Sequence, residues 1–318
     1  MTSVTCPVCQ SGISNLHDTI DGYRYFTCAN CDSIHIDPTV IEMLDAGGSL
    51  VGDYTDAYWQ QERIGALDRA AGVSLCLLAE AILYCRRPVR RFLDVGAGPG
   101  FLLQEAQRLL DPDAEIFHGV EKYPPPYAVS CPNFQVGDIN EVDAKFDAGV
   151  CIEVVEHLTP AMLDGLLRGL ARASEPGALW LFNTGMPDYV RNEDPAYLDP
   201  LGRGHIISWS LAGIAPWFER HGFRVLAMPA RNFGFIVERL PVEDPDFGTR
   251  IYQPLADNLA LLQRSGLLYH AGFETARSYY YRALCMERTT WALGLKQALA
   301  RARAASPWAR LFGRSNED

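Results

Sequence analysis

The apolar positions of this chain fall into two rhythms. Between residues 90 and 240, short β-prone runs alternate with stretches whose apolar residues recur every three or four positions. Residues 91–95 predict a first strand, and 101–110 the helix after it. Residues 115–121, 134–139, 146–153 and 178–182 predict four more strands. Thr159-Pro160 opens a helix over 161–173, with proline at its first position. Residues 211–220 predict another helix, closed by Gly222. Residues 223–228 and 233–238 then predict two antiparallel edge strands that turn at Arg231-Asn232. Upstream, Leu67, Leu75, Leu78, Ala79, Ile82 and Leu83 form the stripe of a helix over 64–85, stopped by the segment 86–88. Beyond Pro241 the chain is turn-rich to Pro254, then helical over 255–268 and 276–304. Strand and helix alternating in this way specify an α/β domain with a mostly parallel sheet.

The chemistry sits where predicted strands end. The first runs into Gly96-Ala97-Gly98-Pro99-Gly100 just before a helix. Glycines let a backbone approach a ligand closely, and the helix start offers free N–H donors. The second strand ends in Glu121, roughly 20 residues past the glycines, where an acid reaches ribose hydroxyls in dinucleotide folds. The third ends in Asp138-Ile139 and the fourth in Glu153.

These motifs stand in register: L-D-V-G-A-G-P-G from Leu93, then G-V-E, then G-D-I, then F-D-A-G-V-C-I-E-V-V-E-H-L. The series resembles the class I S-adenosylmethionine-dependent methyltransferases, and E-V-V-E-H-L is most similar to the branch holding ubiquinone-biosynthesis and sugar methyltransferases. A Rossmann domain for NAD is the rival, but the turn lacks the spacing of the dinucleotide fingerprint. The resemblance implies a Rossmann-like fold with a mostly parallel seven-stranded sheet. It implies that the main chain at Gly96, Ala97 and Gly98 passes the methionine portion of S-adenosylmethionine, with Asp94 supporting the turn. Glu121 would meet the ribose, Asp138 and Ile139 the adenine, and Glu153 would lie near the methyl group.

A second constellation lies at the start of the chain. Cys6-Pro7-Val8-Cys9 and Cys28-Ala29-Asn30-Cys31 form C-x2-C-x18-C-x2-C, the spacing of a four-thiolate zinc site. Two disulfides or four free thiols are the alternatives. Residues between the pairs, among them Tyr23, Arg24, Tyr25 and Phe26, predict a short hairpin. So small a module gains much of its folding energy from the metal. His17 and His35 exceed the four-ligand set and read as surface residues.

Net charge is −11, which opposes the broad phosphate-neutralising face that nucleic-acid binding needs. No apolar run reaches membrane-span length. The start, Met1-Thr2-Ser3-Val4-Thr5, lacks signal character, and the five cysteines outside the two pairs are scattered. Both favour a reducing cytoplasm. The C-terminal stretch could pack on the core or form a homodimer, and its basic amphipathic end, with Trp308, Leu311 and Phe312, could rest on a membrane surface.

Methyl transfer to a hydroxyl needs alignment and removal of a proton. His157, just past the fourth strand, is the first candidate base, with Glu156 to orient or replace it. His205, in the long loop after the fifth strand, is the second. Arg191 and Arg203 in the same loop could meet an anionic acceptor, and Tyr54 or Tyr58 could line the cofactor. Capping, packing or solvation are the bland readings of these residues.

The sequence is thus read as a zinc-ribbon-like module over 1–38, a cofactor-covering connector over 39–88, a methyltransferase core over 89–240 and a helical extension over 241–318. A saccharide or other small polar hydroxyl is the expected acceptor. An RNA or protein methyltransferase that grips its polymer with the zinc ribbon is a second reading, and a non-catalytic cofactor-binding or assembly protein a third.

Overall fold

A computed structural model describes residues 3–50, 56–242 and 246–305, with the side chains of 56–58 and 303–305 outside the description. Tyr54, Trp308, Leu311 and Phe312, and the side chain of Tyr58, therefore lie outside it. The chain begins with strands β1 (Ser3–Thr5), β2 (Ile13–Ile20), β3 (Tyr23–Cys28) and β4 (Ile34–Ile36). Helices α1 (Pro38–Asp45), α2 (Asp56–Ala71) and α3 (Val73–Tyr84) follow. The stretch expected as one helix is broken at Gly72, whose φ of −118° and ψ of −103° are not helical. Glycine is a weak helix former, and the break lets the two halves do different things. α2 touches α3 and α4, whereas α3 is buried along ten of its positions beneath the sheet.

The core alternates as expected: β5 (Phe92–Val95), α4 (Phe101–Leu110), β6 (Phe117–Glu121), β7 (Phe134–Val136), β8 (Phe146–Ile152), α5 (Pro160–Ala173) and β9 (Ser174–Gly185). Then come α6 (Pro187–Asn192), the short β10 (Ile207–Ser208), α7 (Leu211–Arg220), β11 (Phe223–Ala227) and β12 (Phe233–Arg239). Seven strands form one sheet in the order β11-β12-β9-β8-β5-β6-β7. β5 through β9 pair in parallel, and β12 enters antiparallel between β9 and β11. This is a Rossmann-like α/β sheet. β5 has β6 on one side and β8 on the other, so the chain reverses direction across the sheet there, which opens a crevice at the strands' carboxyl ends.

Two apolar layers sandwich the sheet. α3, α4, α9 (Ala256–Leu262) and α10 (Gly266–Ala305) fill one face. α5, α7 and the N-terminal segment fill the other, where Phe182 and Phe235 stack with ring centroids 5.2 Å apart. The C-terminal helices belong to the fold. Asn258 Nδ2 donates to the carbonyls of Ile82, Cys85 and Arg87, and its Oδ1 accepts from Val89 N–H. One buried amide thus satisfies the link from α3 to β5, where four backbone groups would otherwise be unpaired. From α8 (Phe247–Tyr252), Arg250 reaches the buried Glu238 of β12 at 2.6 Å. The far part of α10 is solvent-exposed, Trp291 included. No helix among the described residues is long and apolar enough to cross a membrane.

The N-terminal strands are more than a hairpin. They form a second sheet, β1-β2-β3-β4-β10, whose last strand comes from the loop after β9. His35, expected at the surface, is fully buried in β4. Its Nδ1 donates to the Ile36 carbonyl, and its Nε2 accepts from Ser14 Oγ at 2.8 Å. The imidazole is a structural cross-tie between strands.

Candidate active site and four-cysteine cluster

The first wall of the crevice is the glycine turn. Gly96, Gly98 and Gly100 all have positive φ, at 74°, 52° and 80°. A Cβ at Gly96 would lie 2.4 Å from Val154 Cγ2, so glycine lets the turn after β5 touch the turn after β8. A Cβ at Gly98 would meet nothing within 4 Å, because it faces open space. Glu121 stands across the turn. Its carboxylate accepts from Gly98 N–H at 2.8 Å and from Tyr123 N–H at 2.7 Å. Asp94 is buried at the end of β5, and burial, with the Glu121 charge second, pushes its pKa up to about 7.

Asp138 and Ile139 reach the same edge of the sheet with their side chains largely committed. Asp138 Oδ1 caps the turn by accepting from Asn140, and Oδ2 pairs with Lys122 at 3.0 Å. Ile139 is buried against Gly169 of α5, where an added Cβ would come within 2.6 Å of its Cγ2. Only its main chain is left for a ligand.

The second wall is built by the turn after β8. Glu153 holds a left-handed φ of 53°, uncommon outside glycine, and its N–H donates to Asn183 O. Val155–His157 form a 3-10 turn. That turn is bolted to the β10 loop: Ile206 N–H donates to Glu156 O, and Trp209 Nε1 to Val155 O. The two histidines named from sequence are thereby brought together, with ring centroids 4.8 Å apart.

Their hydrogen bonds define their tautomers. His157 Nδ1 lies 3.1 Å from Gly204 O, and His205 Nδ1 lies 2.7 Å from Tyr197 O. A carbonyl can only accept, so both rings donate through Nδ1, and in the neutral form each keeps a lone pair on Nε2. Burial pushes the His205 pKa down to about 4. Its Nε2 is 3.9 Å from Glu156 Oε1, too far for a hydrogen bond. Glu156 is fully buried, and neither of its oxygens has a hydrogen-bond partner among the described residues. Burial first, and then the Glu156 charge, push Glu153 up to about 10. The pocket therefore joins two imidazole lone pairs and two carboxyl groups, which can take up a proton or hold a cation.

The two loop arginines differ in how far they are engaged. Arg191 grips Asp32 with both terminal nitrogens, at 2.9 and 2.7 Å, tying α6 to the N-terminal sheet. Arg203 is exposed near Asp194. Sequence reasoning also missed Tyr25, whose hydroxyl donates to His205 O at 2.7 Å and fixes the loop. The tyrosine lies in the N-terminal sheet, and no local pattern links it to His205.

The four cysteines converge independently. Cys6 and Cys31 Sγ are 3.8 Å apart, Cys9 and Cys28 Sγ 3.6 Å, and all four sulfurs lie within 4.8 Å of one another. Thiolates around one tetrahedral zinc at ~2.3 Å stand ~3.8 Å from each other, so the donor set fits that ion. The two knuckles match: Gln10 N–H returns to Cys6 O, and Asp32 N–H to Cys28 O. Gly12 makes room, since a Cβ there would sit 2.5 Å from Cys28 Sγ. Trp217 Nε1 donates to Val8 O, and Ser210 Oγ to Cys31 O, which seats the cluster on α7.

A glycine turn braced by an acid stands at the topological switch point of the sheet, the place where open α/β sheets bind ligands. Residues 68–228, more than half of the chain, match the family model described as a methyltransferase domain, and the chain belongs to that family of enzymes. No curated protein matches it. Among solved structures it is similar to an O-methyltransferase from neocarzinostatin biosynthesis in complex with S-adenosylmethionine and 2-hydroxy-5-methyl naphthoic acid. Identity is 21%, coverage 47% of this chain and 48% of that one, and TM-score 0.37. The match thus spans about half the length of that enzyme. It is also similar to an amino pentose methyltransferase from Micromonospora echinaspora involved in calicheamicin biosynthesis (17% identity, 59% and 98% coverage, TM-score 0.41). A third is the magnesium protoporphyrin IX methyltransferase of Synechocystis PCC 6803 with bound S-adenosylhomocysteine (18%, 59% and 90%, TM-score 0.37).

Proposed function

We propose that the chain transfers the methyl group of S-adenosylmethionine to a hydroxyl of a small polar acceptor, with a saccharide as the leading class. The observation that carries this reading is that two groups stand at the carboxyl ends of the neighbouring strands β5 and β8, whose turns touch where Gly96 meets Val154. One is the glycine turn with Glu121, and the other is the cluster of Glu156, His157 and His205. The first wall suits a cofactor: Gly96, Ala97 and Gly98 present main chain to its methionine part, and Asp94 braces the turn. Glu121 would exchange the Gly98 N–H for ribose hydroxyls. Asp138 with the main chain of Ile139 would meet the adenine, and Glu153 would border the transferred methyl. The second wall suits proton removal, through lone pairs held ready on both imidazoles.

The cysteine cluster fits one structural zinc, held by Cys6, Cys9, Cys28 and Cys31. Its knuckles are packed on α7, and its sheet pairs with β10, which favours the small-acceptor reading over an RNA or protein substrate. The proposed role of the metal is to hold the sheet that positions His205 through Tyr25.

Incubation with methyl-labelled S-adenosylmethionine and a panel of sugar nucleotides and glycans tests the reading. Label in a sugar product supports it. Label in RNA or protein only would replace the acceptor class and leave the reaction standing.

A further inference from the structure

At the heart of the second wall, acceptors face acceptors. The Nε2 lone pair of His205 points at Glu156, whose two oxygens are fully buried and unpartnered among the described residues. Glu153 Oε1, beside it, is equally buried and unpartnered. One ring nitrogen of His157, one of His205 and one Glu156 oxygen lie within 4.8 Å of one another. With both Nδ1 atoms spent on carbonyls, neither neutral imidazole has an N–H left to aim at its centre. Buried acceptors without donors are costly, and a cation at the centre removes that cost.

We propose that Glu156, His157 and His205 form a second metal site, distinct from the four cysteines, that binds a divalent first-row cation through one carboxylate and two imidazole Nε2 atoms. Three features beyond proximity support it. Each imidazole donates its far N–H to a backbone carbonyl, as metal-ligating histidines do, which fixes both tautomer and ring plane. The ligands are preorganised by backbone bonds between the two loops, Ile206 to Glu156 and Trp209 to Val155. Glu153, in a left-handed conformation three residues before Glu156, has its Oε1 buried without a partner among the described residues. Two nitrogens and an oxygen leave coordination positions open, and borderline cations such as Mn2+, Fe2+, Co2+ and Zn2+ accept such a set.

The site itself stands without any assumption about the reaction. Its role rests on the methyl-transfer reading, with the imidazole lone pairs then committed to the cation instead of the proton: the cation would bind the acceptor oxygen and favour loss of its proton. The O–H proton then leaves to solvent, and the oxygen lone pair forms the new O–CH3 bond. The S–CH3 electron pair stays on sulfur, giving S-adenosylhomocysteine. The cation's charge does not change.

Manganese is the probe, because the thiolate cluster disfavours it. The full chain, its zinc content measured, is titrated with Mn2+ while free Mn2+ is counted by electron paramagnetic resonance. One tight Mn2+ per chain is expected beyond the zinc. Glu156→Gln and His205→Ala should each weaken it by at least about 100-fold, with zinc content and circular dichroism unchanged. His157→Ala, at a less buried position, serves as a third variant that folding defects are less able to confound. S-adenosylmethionine affinity, measured by calorimetry on the same samples, reports separately on the cofactor reading. A wild-type chain that binds no Mn2+ or Co2+ beyond the cysteine site would overturn the proposal, as would Mn2+ binding that survives in all three variants.

Discussion

His157 and His205 face each other edge to face, ring centroids 4.8 Å apart, although α5, β9 and α6 separate them along the chain. Each is held by a carbonyl on Nδ1, and Glu156 lies buried between their loops. The proposed function makes the pair one unit. His157→Ala and His205→Ala should each lower turnover by about 10²–10⁴-fold, with S-adenosylmethionine affinity nearly unchanged. Steady-state rates with the true acceptor check this, alongside cofactor calorimetry. If one substitution abolishes turnover and the other leaves it intact, the two do not work together.

Glu121 braces the glycine turn through Gly98 N–H. Glu121→Ala should weaken S-adenosylmethionine binding by about 1.5–3 kcal/mol, the range of a charge-assisted hydrogen bond. Gly98→Val tests the same crevice differently. Its Cβ meets nothing in the folded chain, so apart from the strain of a positive φ its cost should fall on the ligand. Comparing melting temperature with cofactor affinity separates the two effects.

The four thiolates should hold one zinc. Cys6→Ser should reduce zinc occupancy or affinity. Because the cluster is seated on α7 by Trp217 and reaches the β10 loop through Tyr25, metal loss should be felt beyond residue 38. Tryptophan fluorescence should change, and turnover should fall even with an intact cofactor crevice. Unfolding confined to the first residues, with turnover preserved, would show that the N-terminal sheet is an independent appendage.

Arg250 and Glu238 are both fully buried and paired at 2.6 Å. Arg224 also reaches Glu238, at 2.8 Å, so Arg250→Met leaves the buried carboxylate one partner and should destabilise the fold by about 1.5–3 kcal/mol, the range of a hydrogen bond to a charged group. Denaturant unfolding reads this directly. A loss below about 1 kcal/mol would mean that water reaches the pair on substitution.

Much of the fold could be read from the chain because each core strand is a short apolar run that ends in a chemically distinctive residue. The Phe92–Val95 strand, the glycine turn and Glu121 needed only local pattern and spacing. The break at Gly72 was hidden because the apolar stripe runs through it on both sides. β9 is longer than its apolar run, since pairing with β8 and β12 carries Ser174 and Gly185 into the sheet. Arg191 read as a ligand for an anionic acceptor, and its engagement by Asp32 depends on a contact between distant segments. The same holds for the meeting of His157 with His205, which follows from the bonds of Ile206 and Trp209 in the β10 loop to the turn after β8. Residue type and spacing identified the candidate groups, and tertiary pairing alone decided which of them share a site.

The central claim is that the crevice at Gly96–Gly100 and Glu121 is built for a sulfonium nucleoside. Calorimetric titration of the purified full chain with S-adenosylmethionine, and separately with NAD, tests it most directly. Saturable binding of S-adenosylmethionine at one site per chain, weakened by Glu121→Ala, is the result predicted. Binding of NAD with no response to S-adenosylmethionine would contradict the account.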